Sequence, residues 1–235
     1  MAPTSCVVFD IDDTLYLESD YVRSGFRATG AWVSEHLGIE GFFDHAWNAF
    51  QRGDRGTIFN SALSELGIAD TPNLVTDLVE VYRGHDPQIE LTQDALVCLD
   101  RLRGNVHIGV ITDGPAESQR AKARALDLQR WHPELIVTAE LGPGLGKPHP
   151  RAFELIEERT GCSGAACAYV ADNPIKDFVA PRQLGWLTVR VRRPGALHED
   201  MESGADVDEE IGDLSGLIEL ITKQSSATQG NELLC

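Results

Sequence analysis

Short apolar runs rich in β-branched residues recur along the chain and are separated by stretches with helical spacing. The runs occupy residues 7–9, 106–111, 135–137, 167–171 and 187–191. Between them, apolar positions three and four residues apart predict helices over residues 92–102, 115–126, 150–160 and 175–184. Strands that alternate with helices predict an α/β fold, in which a parallel sheet carries helices on both faces.

Residues 17–82 depart from this alternation, because helical patterns follow one another there with no convincing strand between them. These patterns cover residues 21–37, 42–50, 57–66 and 71–82. Helices inserted directly after the first strand predict a separate all-helical cap domain, residues 17–82, reached through a flexible link at Tyr16 and Leu17. The core domain then comprises residues 1–16 and 83–223, followed by a flexible tail, residues 224–235.

The charge of the chain excludes some partners. A net charge of −17 argues against nucleic acid or an anionic membrane, because phosphate-rich surfaces are bound through excess Lys and Arg. Nine acids fall between Glu199 and Glu219 without a Lys or Arg, which is typical of a solvated face or a flexible segment. An acidic protein that binds phosphate needs cations at the site itself.

The chain has no pattern typical of a membrane or secreted protein. No apolar run approaches the roughly 18 residues that a membrane-spanning helix needs, and no basic segment followed by an apolar one begins the chain. We therefore expect a cytoplasmic protein. The five cysteines lack the paired spacing of a metal site and are interpreted as reduced packing residues.

The first apolar run ends in two carboxylates, Asp10 and Asp12, followed by Thr14. Side chains alternate along a strand, so both acids leave the sheet on the same side and can act on one substrate. Two acids at the carboxyl end of such a strand suit a divided task, with one as nucleophile and one in proton transfer. The alternative is a solvated turn, since Asp is also favoured at turns and helix N-caps.

Polar residues also follow the later predicted strands. Thr112 ends the second strand before a helix, where its hydroxyl and the backbone N–H groups form a natural phosphate cradle. Lys147 lies in a Gly/Pro-rich loop, and Asp172 and Asp177 follow the fourth strand at a spacing that lets both face a cation near Asp10. Each one alone is better explained as a helix cap or a surface residue, but together their types complete one reaction.

Four motifs in this order resemble those of the haloacid dehalogenase-like hydrolase superfamily. They are DIDDT at residues 10–14, ITDG at 111–114, GKPHP at 146–150 and ADNPIKD at 171–177. The resemblance implies a Rossmann-like core, and the helical insert resembles the cap of the class I members. One departure is Ala171, where a Gly commonly precedes the acid. Typical dehalogenases lack the second acid of the first motif, so the presence of Asp12 implies phosphoryl transfer, which we expect to be that of a phosphatase.

The resemblance also implies roles for the motif residues. Asp10 would attack phosphorus to form an aspartyl-phosphate, and Asp12 would donate and then accept the proton. The implied cofactor is Mg²⁺, held by Asp10, the main-chain carbonyl of Asp12 and Asp172, with Asp177 bonded nearby. The residues implied to bind the transferred phosphoryl group are Thr112, Asp113, Gly114 and Lys147.

The expected substrate is a small phosphorylated metabolite, with a sugar or cyclitol phosphate as the specific guess. Arginine binds anions through a bidentate fork, so basic residues of the insert and of its return to the core are candidates for binding the leaving group. These candidates are Arg52, Arg55, Arg83 and His85. Arg55 is the best of them, because it lies in a Gly-flanked loop between predicted helices. Surface pairing with nearby acids explains each of them at least as well.

Two other functions fit the same sequence. A phosphomutase would share every core motif, but it returns the phosphoryl group to a bound intermediate, whereas a phosphatase transfers it to water. A non-catalytic regulator built on this fold is disfavoured, because such proteins can lose motif acids that are all present here.

Overall fold

The computed structural model describes residues 3–229 and, for side chains, residues 3–222. The chain divides into two compact units. The core unit combines Met1–Glu18 with Glu90–Cys235, and the insert unit is Ser19–Ile89. The limits of the insert therefore lie somewhat further along the chain than residues 17 and 82, the limits that the helical pattern predicts.

The core unit contains one parallel sheet. Among the described residues its strands are β1 (Cys6–Phe9), β2 (His107–Thr112), β3 (Glu134–Val137), β4 (Cys167–Ala171), β5 (Leu187–Val191) and β6 (Glu209–Ile211). They lie in the order β3-β2-β1-β4-β5-β6, and every neighbouring pair is parallel. This is the strand order of a Rossmann-like sheet, so the predicted fold class is confirmed.

The insert unit is helical throughout its regular elements. Its helices are α1 (Glu18–Leu37), α2 (Phe42–Gln51), α3 (Ile58–Glu65) and α4 (Pro72–Gly84). They have their own apolar core, which includes Phe26, Phe42, Leu63 and Leu78. Because these side chains are buried against one another, the insert has the separate hydrophobic core expected of a domain.

The remaining helices belong to the core unit. They are α5 (Gln93–Leu102), α6 (Ala116–Ala125), α7 (Arg151–Thr160), α8 (Val179–Gln183) and α9 (Ser215–Gln229). Helices α5, α6 and α7 begin and end within one residue of their predicted limits, whereas α8 is shorter than predicted. Among the described residues, no helix is both long enough and apolar enough to cross a membrane.

Aromatic side chains pack against the buried centre of the sheet. All four residues of β1 and all five of β4 are buried. The ring of Phe153 on α7 meets Tyr169 on β4 edge to face at 4.9 Å and Trp186 at 5.6 Å between ring centroids. Such contacts add to the apolar burial that fixes the strands. The carboxyl ends of β1 and β4 therefore start from a fixed position.

The register of the sheet places the motif residues along one edge. Phe9 pairs with Val110 on one side and Val170 on the other, and the N–H of Asp10 donates to the carbonyl of Val170 at 2.9 Å. The strand order reverses between β1 and β4. Ligands of open α/β sheets bind outside the carboxyl ends of the strands at this reversal.

Of the two interpretations of the acidic segment, a solvated face and a flexible segment, the exposed strand β6 favours the solvated face. Strand β6 lies within this segment and pairs with the edge of β5, and α9 begins near its end. Helix α9 continues to Gln229, past residue 224, where we expected a flexible tail. The reason is that Leu217 and Ile221 are buried and the helix packs against α5. The rest of the expected tail, residues 230–235, lies outside the described residues.

A largely buried ion pair joins the end of β5 to the start of α5, and a hydrogen bond from the same arginine reaches the loop after β1. Arg193 donates to both carboxylate oxygens of Asp94, at 2.9 and 2.7 Å, and to the carbonyl of Thr14 at 3.0 Å. Burial alone would raise the pKa of Asp94. Hydrogen bonds from Arg193 and from the N–H of Leu214 outweigh this effect and lower the pKa to about 2. The ionised pair therefore stabilises the fold above the ordinary pKa of Asp, near 4.

We expect Arg193→Met to lower the free energy of unfolding at neutral pH by about 3 kcal/mol, because it leaves a carboxylate that is only 15% exposed without its charged partner. Urea denaturation measures this loss. The matched control is Arg192→Met, at a more exposed pair with Glu210, which should cost less than about 1 kcal/mol. The contribution of Asp94 is lost as the pH falls from about 4 towards 2, so the Arg193 effect should shrink there. Equal losses in the two variants at neutral pH would contradict the assignment.

Candidate active site

Asp10 lies at the tip of β1 beside a buried lysine. The Nζ of Lys147 is 3.0 Å from Oδ1 of Asp10 and 2.8 Å from Oδ1 of Asp177, and it donates to the hydroxyl of Tyr169 at 3.0 Å. The side chains of Lys147 and Asp177 have no exposed surface. One ammonium group therefore lies between two carboxylates that β1 and the loop after β4 provide.

Burial sets the electrostatics of this pair. It raises the pKa of Asp10 to about 7, against the opposing effect of Lys147. Burial alone would lower the pKa of Lys147, but Asp10 and Asp177 raise it well above its ordinary value. Lys147 therefore stays charged and favours an ionised Asp10, as a carboxylate nucleophile requires.

Three acids form a compact oxygen cluster at the strand ends. One carboxylate oxygen from each of Asp10, Asp172 and Asp177 lies within 4.8 Å of the others, and all three residues are buried. Burial also raises the pKa of Asp172. Close carboxylates repel each other unless a cation balances them, so this cluster is a candidate metal site. The side chain of Asp12 is not part of it.

A histidine that the sequence analysis missed lies next to this cluster. His198 Nδ1 is 2.8 Å from Oδ2 of Asp172, and this contact raises the pKa of His198. His198 and Asp13 form a second group of possible metal ligands with Asp172. Arg190, in β5, holds this region in place by donating to the carbonyls of Asp172 and His198.

The loop after β4 replaces the first half of a predicted helix. We expected a helix over residues 175–184, but α8 begins only at Val179. Before it, two hydrogen bonds join Asn173 and Asp177. The N–H of Asn173 donates to the carboxylate of Asp177, and the N–H of Asp177 donates to the carbonyl of Asn173. The side chain of Asn173 also accepts from the N–H of Ile175. This local bonding favours a turn over a helix and directs Asp177 towards Lys147.

Asp12 has different surroundings from Asp10. Lys122 Nζ is 2.7 Å from both of its carboxylate oxygens, Tyr16 donates its hydroxyl to Oδ1, and Gln119 Nε2 donates to Oδ2 at 3.4 Å. Tyr16 is fully buried, so our expectation that it forms part of a flexible link is wrong. The buried hydroxyl of Tyr16 is satisfied because the carboxylate of Asp12 accepts its hydrogen bond.

Three of the four predicted phosphate-binding residues lie at the end of β2 and in the loop before α6. Thr112 is buried and donates its hydroxyl to Gln119 at 2.9 Å. The carboxylate of Asp113 accepts from the hydroxyl of Thr138 at 2.6 Å and from the N–H of Lys147 at 3.2 Å. Gly114 has φ +129°, and a Cβ there would lie 2.7 Å from Nε2 of Gln119. This position therefore requires glycine.

Most of the sequence also matches the model of a known protein family. The family model of haloacid dehalogenase-like hydrolases matches residues 4–185, which include all four motifs and the insert. The chain belongs to this family. Its resemblance to the haloacid dehalogenase-like hydrolases, first indicated by the motifs, is thereby confirmed.

Two relatives by sequence are phosphatases. The chain is 29% identical to a glyceraldehyde 3-phosphate phosphatase of Methanocaldococcus jannaschii, over 92% of this chain and 96% of that protein. It is 30% identical to a phosphoserine phosphatase of Thermus thermophilus, over 68% of this chain and 62% of that protein. These relatives and the family match confirm the prediction that this chain is a phosphatase.

The fold alone does not separate phosphatases from dehalogenases in this family. A 2-haloacid dehalogenase of Pseudomonas syringae has a TM-score of 0.64 to this structure at 24% identity. The match covers 94% of this chain and 99% of the dehalogenase. The shared fold therefore does not by itself assign an activity.

The four basic residues proposed for substrate binding lie in the insert. Arg52 pairs with Asp54 and Glu65, and Arg55 donates to two backbone carbonyls and packs over the Phe50 ring at 4.2 Å. Two further candidates are Arg83, in the last turn of α4, and His85, whose Nδ1 lies 2.6 Å from the carbonyl of Tyr82. Their role in substrate binding stays a prediction.

The sequence analysis missed Gln119 and Lys122, although α6 gave a signal. The helix, AESQRAKARA, has no apolar residue larger than alanine. A helix that covers a sheet must still bury one face, so polar side chains have to lie on it. Gln119 and Lys122 are three residues apart on that face, and both are buried.

Proposed function

We propose that this protein hydrolyses phosphomonoesters of small metabolites with Mg²⁺, through an aspartyl-phosphate on Asp10. The observation that carries the proposal is the contrast between the two acids of the first motif. Asp10 lies beside Lys147 within the buried oxygen cluster, whereas the carboxylate of Asp12 is held separately by Lys122, Tyr16 and Gln119. This contrast supports a nucleophilic role for Asp10 and a proton-transfer role for Asp12.

The residues of the cluster fit a magnesium ion. Mg²⁺ prefers oxygen ligands, and one or two carboxylates with water and substrate oxygens complete its shell. Asp10 and Asp172 would hold it together with the main-chain carbonyl of Asp12, and Asp177 would bond nearby. When bound, the ion reduces repulsion between an anionic nucleophile and an anionic phosphate.

The chemistry of the first half-reaction follows from these positions. An oxygen of Asp10 attacks phosphorus in line, and the bond from phosphorus to the leaving oxygen breaks. Asp12 supplies the proton that the departing alkoxide takes up. In the second half-reaction, water attacks the aspartyl-phosphate and gives its proton to Asp12, which restores both acids. Such proton transfer contributes about 10²- to 10⁴-fold to the rate.

The phosphoryl oxygens need donors. Lys147 can offer its ammonium group and Thr112 its hydroxyl, while the loop at the start of α6 offers backbone N–H groups, including that of Gly114. Asp113 can contribute only through its backbone. Burial alone would raise the pKa of its carboxyl. Lys147 and the hydroxyl of Thr138 outweigh this effect and lower the pKa below its ordinary value, so the side chain is anionic.

The substrate that we propose is a small phosphorylated metabolite, with sugar and cyclitol phosphates as the first choice. The named relatives act on glyceraldehyde 3-phosphate and phosphoserine, which are both small phosphate esters. A dehalogenase is disfavoured, because a halide leaves without a proton and the first task of Asp12, protonation of the leaving group, would not be needed.

Phosphate release across a panel of phosphate esters tests this function. The panel contains an aryl phosphate, glyceraldehyde 3-phosphate, phosphoserine, and sugar and cyclitol phosphates, each with Mg²⁺ and after exhaustive chelation. We expect Mg²⁺-dependent turnover of the aryl phosphate and faster turnover of at least one metabolite. Full activity after chelation would contradict the metal assignment. Release of halide from a 2-haloacid, without phosphatase activity, would contradict the proposed reaction. Transfer from a bisphosphate primer to a second sugar would instead indicate a phosphomutase.

A further inference from the structure

We infer that Lys122 is a positioning residue, which holds the carboxylate of Asp12 in the orientation that proton transfer needs. The inference rests on the proposed function, because it assigns a task to a residue that acts through Asp12. It concerns a buried cation outside all four sequence motifs.

The contact between the two side chains is bidentate and sheltered from water. Lys122 Nζ lies 2.7 Å from each carboxylate oxygen of Asp12. The side chain of Lys122 is only 4% exposed and that of Asp12 19% exposed. A surface ion pair contributes little, since solvent screens it, but this pair is largely removed from solvent. A carboxylate held at both oxygens cannot rotate freely about its last side-chain bond.

Gln119 ties the same carboxylate to the phosphate-binding loop. The hydroxyl of Thr112 donates to Oε1 of Gln119 at 2.9 Å, which leaves the amide Nε2 to donate to Oδ2 of Asp12 at 3.4 Å. Gln119 and Lys122 are both on α6, so the helix that begins at this loop also provides two of the donors to Asp12. The position of Asp12 is thereby coupled to that of Thr112.

Tyr16, from the segment after β1, adds a third donor. Burial and the nearby charge of Asp12 raise the pKa of Tyr16, so its hydroxyl keeps its proton and remains a donor. Glu18 is a second acid near Lys122. Burial and Asp12 raise the pKa of Glu18 to about 8, whereas Lys122 lowers it. Lys122 therefore provides the positive charge that pairs with the Asp12 carboxylate, as Lys147 does for Asp10.

The assignment to positioning follows from what each lysine contacts. Lys147 contacts Asp10, the group that reacts with phosphorus, whereas Lys122 contacts the acid and base. If Lys122 acts only by orienting Asp12, its removal should impair proton transfer and leave the nucleophile intact. The effect should therefore depend on how much the leaving group needs a proton.

The test compares Lys122→Met, Asp12→Asn and the double variant on two substrates with Mg²⁺. One substrate is an activated aryl phosphate, and the other is the alkyl phosphate that the wild-type enzyme hydrolyses best. The measured quantity is kcat/KM, which reports the first half-reaction. We expect Lys122→Met to lower kcat/KM about tenfold for the alkyl phosphate and less than about threefold for the aryl phosphate. In the Asp12→Asn background, Lys122→Met should have no further effect, because its partner is already lost.

Arg120→Met is the matched control. It removes one positive charge from the same helix, but Arg120 is 44% exposed and pairs with Glu140. We expect it to leave both values of kcat/KM unchanged. Thermal melting checks that each variant is folded. If Lys122→Met is unfolded, Lys122→Arg replaces it. Because arginine restores the charge, the ratio of kcat/KM for the aryl and alkyl phosphates should stay closer to the wild-type ratio.

The outcomes separate this inference from the function on which it rests. Equal losses on both substrates, or a full further loss in the Asp12→Asn background, would overturn the positioning role and make Lys122 a direct contact of the phosphoryl group or substrate. A wild-type enzyme without phosphatase activity would instead overturn the proposed function. Leaving-group dependence in Lys122→Met together with non-additivity supports the inference.

Discussion

Replacement of Asp10 with asparagine is expected to abolish turnover, with a fall in kcat of about 10⁴-fold or more for an aryl phosphate. The amide keeps the shape of the carboxylate, but it cannot form the aspartyl-phosphate. An aryl phosphate is the suitable substrate because its leaving group scarcely needs a proton, so the loss reports the nucleophile alone. The measurement is steady-state release of the aryl alcohol, with purified variant and saturating Mg²⁺.

The stability of this variant provides its control. Burial raises the pKa of Asp10 to about 7, so the charged form is costly in its surroundings and a neutral amide removes that cost. Lys147 keeps its contact with Asp177 at 2.8 Å. We therefore expect a thermal midpoint no lower than that of the wild type. A folded Asp10→Asn variant with near wild-type turnover would contradict the assignment of Asp10 as nucleophile.

Replacement of Lys147 with methionine is expected to lower both activity and stability. Removal of the ammonium group leaves the fully buried Asp177 and the nearly buried Asp10 without their cation. Loss of one partner of a buried ion pair typically costs about 3–5 kcal/mol in the free energy of unfolding. We also expect kcat to fall about 10³-fold, since the donor to the phosphoryl oxygens is lost.

Urea denaturation and steady-state kinetics measure the two effects. The control for stability is Lys176→Met, because Lys176 also pairs with an acid of the site, Asp113 at 3.1 Å, but its side chain is 35% exposed. Its loss should cost less than about 1 kcal/mol. A Lys147→Met variant as stable as the Lys176→Met variant would show that the acid cluster does not need the lysine.

The residues of the core motifs could be predicted because each follows a strand with a clear apolar pattern. In a parallel sheet, carboxyl ends of neighbouring strands lie along one edge, so Asp10, Thr112 and Asp172 had to lie close together once the strands were recognised. Lys147 could be included because lysine is scarce in this chain and the residue follows a glycine before a helix.

Other parts of the structure depend on contacts that no local pattern indicates. The N–H of Arg192 donates to the carbonyl of Ile211 at 2.8 Å, so pairing with β5 orders the short, acidic strand β6. His198 contacts Asp172 from a loop that Arg190 holds through the carbonyl of His198. Arg190 is itself buried within β5, where the apolar pattern of the strand predicts an apolar side chain. These residues become predictable only when the sheet order is known.

The most direct test of the central claim is acid quenching during turnover, followed by mass spectrometry of the peptides. Wild-type enzyme is mixed with excess aryl phosphate and Mg²⁺, quenched within the first turnovers and digested under acid conditions, in which acyl phosphates survive. Our account predicts a phosphoryl group on the peptide that contains Asp10, removed by hydroxylamine and absent from the Asp10→Asn variant. A phosphoryl group on another residue, or turnover without any phosphorylated peptide at Asp10, would contradict it.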